Sequence, residues 1–508
     1  MTKSRFSFLH IVSSLIFAAA LAVAADVIAA FFSAHISLPV FVGIFLVCAA
    51  LVIVLNISTK WLWLFFCVGI TAFGILLGTI LYGFQQKGAY AVEDNGKAEL
   101  YSGHKVLVLV PHQDDEVLAA GGVIEEYVRY GSQVYISFYT TGDRSIPGET
   151  RMSEALAAAN SMGVPESNVI FLGYGDVLNN GMHIYNVADG QLISHGSRTE
   201  TYALPEHPPF RSSSYRRENI VADMRDMILQ ISPDIIICTE YEEHPDHAAC
   251  SLFFDEAMEQ ILKTPGNDYL PIILKSPCYA NYFYGVEDFY SDNLLSTVPA
   301  PDNFSPDYYA WENRVRLPVS PQGLSHSVFG CKDYSNFKLH RSQQIPLKSE
   351  SSINGDKVFW IRDTHSLSYA ADIQVSSGQA KLLNNFKIVD NYDVLNNHMD
   401  FSGCTWTPDP SDNSKTATVT LPEASYIESI RLYDDPHGDI NVLNALITFD
   451  DGSSIETGPL NPSGATDITV AMDNVKSFSI TLLKTEGDGA GLLKLKFTVT
   501  SVTMDSIL

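Results

Sequence analysis

Val106-Leu107-Val108-Leu109-Val110-Pro111-His112-Gln113-Asp114-Asp115-Glu116 decides the fold. A run of branched aliphatic residues followed at once by a polar cluster predicts a strand buried on both faces, delivering polar side chains to its C-terminal end. That edge is where open α/β sheets place their ligands. A second stretch repeats the arrangement: Ile235-Ile236-Ile237-Cys238 is apolar, and Glu243-His244-Pro245-Asp246-His247 follows within a few residues. The two strand ends offer three histidines and three aspartates. Parallel strands in one sheet would bring both clusters to the same rim and make a metal site.

The flanking text supports such a sheet. A helix is expected over about 115–130, a strand over Gln133 to Tyr139, and a helix over about 149–162 that ends at Gly163, a C′ residue. Val169 to Leu172 gives a third strand, and a helix over about 217–231 precedes Ile235. This alternation predicts a doubly wound, Rossmann-like, mostly parallel sheet. From about 265 to 354 the text is irregular, with one strand expected over Pro271 to Lys275 and long connections of the kind that wall a site. Beyond about 370, short alternating runs such as Thr416 to Leu421, Ser429 to Tyr433, Ala445 to Phe449 and Ser477 to Leu482 are broken by turn signals, an all-β sandwich pattern.

The N-terminal region reads differently. Three apolar stretches, about 6–32, 38–57 and 61–84, are each long enough for a hydrocarbon core of ~30 Å, so three transmembrane helices are expected. Lys3 and Arg5 before the first then place the N-terminus in the cytoplasm and everything beyond Phe84 outside. The expected layout is an anchor over 1–85, a linker over 86–103, an α/β domain over 104–362 and a β-sandwich over 367–508, in a multi-pass protein of the cell membrane. Of 32 basic and 58 acidic residues, all but Lys3, Arg5, Lys60 and Asp26 lie beyond residue 84. So acidic a body argues against a nucleic-acid partner. Seven cysteines with no CxxC spacing indicate neither a zinc ribbon nor a dense disulfide framework, and leave room for one disulfide, Cys278 to Cys331.

A catalytic zinc, or another divalent ion, wants three imidazole or carboxylate ligands and an open position for water. His112, Asp115 and His247 can supply that set. Asp114, left outside it, is placed to take a proton from the activated water. His244, three residues before His247, is placed to face a developing oxyanion or to protonate a leaving amine.

Pro111-His112-Gln113-Asp114-Asp115-Glu116 together with His244-Pro245-Asp246-His247 resembles the PIG-L/LmbE-like de-N-acetylases, zinc hydrolases that remove acetyl from N-acetylglucosamine-type sugars. The resemblance spans about 104–362. It implies His112, Asp115 and His247 as ligands, Asp114 as general base, His244 as acid or oxyanion partner, and Arg151 and Asp176 as sugar contacts. Read from the residues alone, Arg151 is equally a helix N-terminal partner of Glu154, and Asp176 a turn residue. Gln113 stands where the family often has proline, and Tyr241 matches a family tyrosine only loosely. Residues 367–508 resemble a galactose-binding-like, discoidin-type β-sandwich through Ser376-Ser377-Gly378, Trp406, the run Ile427 to Asp434, and Gly491-Leu492-Leu493-Lys494. Asp434, Asp435, Asp439 and Asn441 there could hold Ca²⁺ or form a solvated acidic loop. The expected activity is hydrolysis of the acetamide in an N-acetylated amino-sugar glycan or glycolipid outside the cytoplasm. The rival reading is a non-catalytic surface glycan-binding or sensor protein that keeps the fold.

Overall fold

The computed structural model describes residues 8–31, 38–59, 68–70, 72–74, 94–176, 198–241, 244–278, 314–319, 332–343, 356–387, 391–393, 398–400, 405–435, 440–462, 465–487 and 491–498. Helices α1 (Phe8–Phe31) and α2 (Leu38–Thr59) pack on each other, with the small side chains of Ala18, Ala20, Ala22 and Ala49 buried. The expected membrane anchor is not borne out. Among the described residues no helix is long and apolar enough to cross a membrane, which overturns the three spans and the multi-pass, extracytoplasmic placement built on them. Most of the third stretch, 61–84, lies outside the described residues. Continuous apolar text does not by itself distinguish a helix buried by protein from one buried by lipid.

Within the stretch read as a linker, α3 (Asp94–Tyr101) is a helix. Its Tyr101 packs edge-on to Tyr127 with ring centroids 4.9 Å apart. The α/β domain then follows the expected alternation: β1 (Lys105–Val110), α4 (Asp115–Arg129), β2 (Gln133–Thr140), α5 (Gly148–Ser161), β3 (Val169–Tyr174), α6 (Arg217–Ile231), β4 (Ile235–Thr239), α7 (Pro245–Leu262), β5 (Ile272–Ser276), β6 (Val315–Pro318) and β7 (Asp356–Arg362). The sheet order is β3-β2-β1-β4-β5-β7-β6. β1 is parallel to β2 and to β4, with Val108 opposite both Ile136 and Ile237, so the two motif strands are immediate neighbours. β5 is parallel to β4, and β7 closes on β5 antiparallel. α5 ends where expected: Gly163 has φ +86° and its N–H donates to the Asn160 carbonyl at 3.0 Å.

The C-terminal domain is all β, and its hydrogen bonds form one six-stranded sheet. β8 (Asp372–Val375), β11 (Thr416–Asp434), β12 (Asn441–Phe449), β13 (Ser454–Glu456), β14 (Ala465–Glu486) and β15 (Leu492–Thr498) make it up, beside a small ribbon of β9 (Asn391–Asp393) and β10 (His398–Asp400). Two runs read as separate strands, Thr416 to Leu421 and Ser429 to Tyr433, are the halves of β11. Register shifts between Thr420 and Ser429 break its pairing with β14, and such bulges bend a strand. Two of the stretches quoted for this domain, Ser376-Ser377-Gly378 and Gly491-Leu492, meet Trp406, which is fully buried: its Nε1 donates to the Ser377 carbonyl at 2.8 Å, and its backbone bridges Leu492.

This domain rests on α7. Lys263 Nζ donates to Asn384 Oδ1 at 3.2 Å, Lys387 pairs with Glu256 at 3.3 Å, and the Phe386 N–H reaches Glu259 Oε2 at 3.4 Å. Arg362, at the end of β7, donates to the Phe386 carbonyl. The helix that meets the β domain on one side therefore carries the second histidine motif at its N-terminus.

Candidate active site

β1 runs directly into α4, so residues 111–114 form the strand-to-helix turn at the C-terminal edge of the sheet. Asp114 adopts φ 134°, ψ −25°. An L residue there stores about 1–3 kcal/mol of strain that its surroundings must hold. They do so from three sides. The Asp114 N–H donates to Glu116 Oε2 at 2.9 Å. Arg151, buried on α5, donates from Nη2 to the Gln113 carbonyl at 2.7 Å and to Asp114 Oδ1 at 3.3 Å, and from Nη1 to the Gly142 carbonyl at 3.4 Å. The Gln113 side-chain amide donates to the Thr140 carbonyl at 2.7 Å, tying the exit of β1 to that of β2.

The second motif opens α7. His244 is its N-cap and Pro245 occupies the first turn, where a missing N–H costs nothing. The Asp246 N–H donates to His244 Nδ1 at 3.3 Å. Accepting at Nδ1 leaves the imidazole proton on Nε2, so His244 is a donor at its outer nitrogen.

Three side-chain atoms close a triangle between the two motifs. His112 Nδ1 lies 3.2 Å from His247 Nε2, and Asp115 Oδ2 lies 3.1 Å from each. Ligands about 2.0–2.2 Å from a tetrahedral zinc stand roughly 3.3–3.5 Å apart, close to these separations. The His244 ring centroid is 4.8 Å from those of both His112 and His247. On the far side of His112, Nε2 lies 3.2 Å from Asp246 Oδ2 and 3.5 Å from Asp176 Oδ1. The donor atoms of His112, His244 and His247 fall within 4.8 Å of one another, as do those of Asp115, His247 and Cys278, and those of His112, Asp176 and Asp246.

The electrostatics also fit a cation. Oδ1 of Asp115, of Asp176 and of Asp246 is buried with no hydrogen-bond partner among the described residues. Buried carboxylate oxygens without partners are costly, and a divalent ion at the triangle would satisfy that of Asp115. Burial favours the neutral His112 ring, but the charge of Asp176, with hydrogen bonds to Asp115 and Asp246, outweighs it and raises its pKa to about 10. Burial pushes the Asp115 carboxyl up, yet His247 and His112 together hold it well below the usual carboxylate range. Burial raises Asp246, opposed by its His112 hydrogen bond and helped by the charge of Asp176.

The structure thus brings His112, Asp115, His247 and Asp176 to one place, with His244 beside them. Arg151 lies under the motif turn, holding its backbone and Asp114. Tyr241 is set apart, its hydroxyl donating to Asp255 within the core. Asp246 and Cys278 were not read from the sequence as site residues. Asp246 stood inside a quoted motif, and Cys278 lies two residues beyond β5, the strand next to β4, which is the only signal that could have found it. The suggested Ca²⁺ cluster lacks support: both Asp434 oxygens accept the Val442 N–H at 3.1 Å, and Asp439 lies outside the described residues.

Residues 107–258 match the PIG-L family, described as GlcNAc-PI de-N-acetylase. Residues 367–504 match a domain of unknown function, DUF7402, so the discoidin-type resemblance is not confirmed. No curated protein matches the chain. Among solved structures, the N,N'-diacetylchitobiose deacetylase from Pyrococcus horikoshii is 18% identical, covering 51% of this chain and 84% of its own, with a TM-score of 0.30. The A40926 pseudoaglycone deacetylase Dbv21 is 13% identical over 50% of this chain and 96% of its own, TM-score 0.30. A family 32 CBM from C. perfringens NanJ, in complex with galactose, is 13% identical over 25% of this chain and 92% of its own, TM-score 0.20.

Proposed function

We propose that this protein, which carries a PIG-L-type region in its α/β domain, is a zinc-dependent de-N-acetylase that hydrolyses the acetamide of N-acetylglucosamine-type sugars in a glycan or glycolipid. The catalytic domain in this reading is 104–362, with an accessory β domain over 367–508. The observation that carries it is the triangle of His112 Nδ1, Asp115 Oδ2 and His247 Nε2, 3.1–3.2 Å on a side, at the turn that holds Asp114.

His112, Asp115 and His247 would hold the ion, which supplies Lewis-acid polarisation and a more acidic water. Asp114 takes the proton of the attacking water as its oxygen bonds to the acetamide carbon. Arg151 keeps the Asp114 carboxylate oriented. His244 presents its Nε2–H to the oxyanion that forms, and Asp114 passes the proton it took from water to the departing nitrogen. The C–N bond breaks, leaving acetate and a free amine. Asp176, buried beside His112, accepts from a sugar hydroxyl in this reading.

Metal content tests the arrangement. After dialysis the full chain should retain about one zinc, His247→Ala far less, and acetate release should stop on chelation and return with zinc. Full release from a metal-free chain would overturn the proposal.

A further inference from the structure

The third strand edge brings a thiol to the same rim. β5 is parallel to β4 in the register Thr239 to Ser276, and the Glu240 N–H donates to the Ser276 carbonyl at 3.1 Å, so the chain leaving β5 runs alongside the chain leaving β4. Cys278 follows two residues later, fully buried. Its sulfur, a carboxylate oxygen of Asp115 and a ring nitrogen of His247 all lie within 4.8 Å of one another. Asp115 and His247 are also two corners of the triangle described above, and Asp115 Oδ1 is a buried oxygen with no hydrogen-bond partner among the described residues. Thr239 Oγ1 lies 3.5 Å from the sulfur, where its hydroxyl can donate to a thiolate. Cys250 is a different case, since burial and its neighbour Cys238 push that thiol well up and keep it protonated.

We propose that Cys278 is a further zinc ligand, supplying a thiolate to the site held by His112, Asp115 and His247. This rests on the proposed metal reading and adds to it. On binding, the S–H bond breaks, its proton goes to solvent and a sulfur–zinc bond forms. A soft sulfur donor favours zinc over magnesium, manganese or calcium, which prefer oxygen. Four protein donors would close the site, whereas three would leave a position for water. Cys278 therefore sets both the metal chosen and the access of water to it.

X-ray absorption of the zinc-loaded full chain reads this directly. The expected spectrum has one sulfur at about 2.3 Å among nitrogen and oxygen neighbours at about 2.0–2.2 Å, and the sulfur shell is lost in Cys278→Ser at the same zinc content. A wild-type spectrum with only nitrogen and oxygen neighbours would overturn the inference while leaving the de-N-acetylase reading intact, and it needs no variant. A sulfur shell that persists in Cys278→Ser, or in Cys278→Ala, would also overturn it. A chain that binds no zinc would sink both.

Discussion

Arg151 shows how far one side chain's role can be read from text. Its place on the helix after β2 was legible, but whether its guanidinium meets a sugar or its own chain depended on the turn at Gln113 and Asp114. The structure gives it three acceptors on that turn and its neighbour. Arg151 is accordingly a positioning residue in this account. Arg151→Lys, which keeps the charge but loses the planar fork, should lower kcat about tenfold or more and leave KM for the sugar within about twofold. A raised KM with unchanged kcat would return Arg151 to substrate contact. That the two motifs would share one rim was legible because both stand at the ends of apolar runs, which the structure pairs as adjacent parallel strands. Asp246 and Cys278 were not, because an aspartate between motif residues and a lone cysteine after an unremarkable strand gain meaning only when strand order is known.

At the scale of elements, β1 to β5 and α4 to α6 lie within two residues of where their apolar periodicity puts them. α7 was missed, although Pro245 at its first turn and buried Ala248, Ala249, Leu252, Phe253, Ala257 and Ile261 carry its helical period. In the β domain the strand halves were legible and their continuity was not, since bulges break the alternation. Two measurements test that domain. A Cβ on Gly491 would sit 2.0 Å from the Trp406 carbonyl oxygen, so Gly491→Ala should destabilise the domain by about 1–3 kcal/mol in urea denaturation. Burial raises Asp434 from 3.8 to about 6, against backbone N–H donors that favour its charged form. The folded state then binds the extra proton between those values, so the stability Asp434 contributes is fully present below about pH 4 and is lost as pH rises through 6. Asp434→Asn should flatten that slope, and an unchanged slope would remove Asp434 as its source.

For the whole molecule, α7 joins the proposed chemistry to the β domain. Asp255 on this helix pairs with Lys275 at 3.1 Å and with Arg362 at 3.4 Å, all three buried. Burial opposes the charge of Lys275, and Asp255 with Cys238 and Glu240 outweighs it and raises its pKa. Asp255→Asn removes the carboxylate that two buried cations share and should cost about 3–5 kcal/mol of stability, seen as a lower urea midpoint; a midpoint unchanged would show the network to be dispensable. At this scale the sequence misled in one respect: apolar stretches that read as an anchor are not matched by a membrane-spanning helix among the described residues. The domain order and acidic body were legible from pattern and count. The most direct measurement is acetate release by the zinc-loaded full chain across a panel of N-acetylglucosamine glycans and glycolipids, beside Asp114→Asn at equal zinc content. This account predicts release by the wild type, lowered by about 100-fold or more in the variant. Release unchanged in Asp114→Asn, or none from any sugar with one zinc bound per chain, would contradict it.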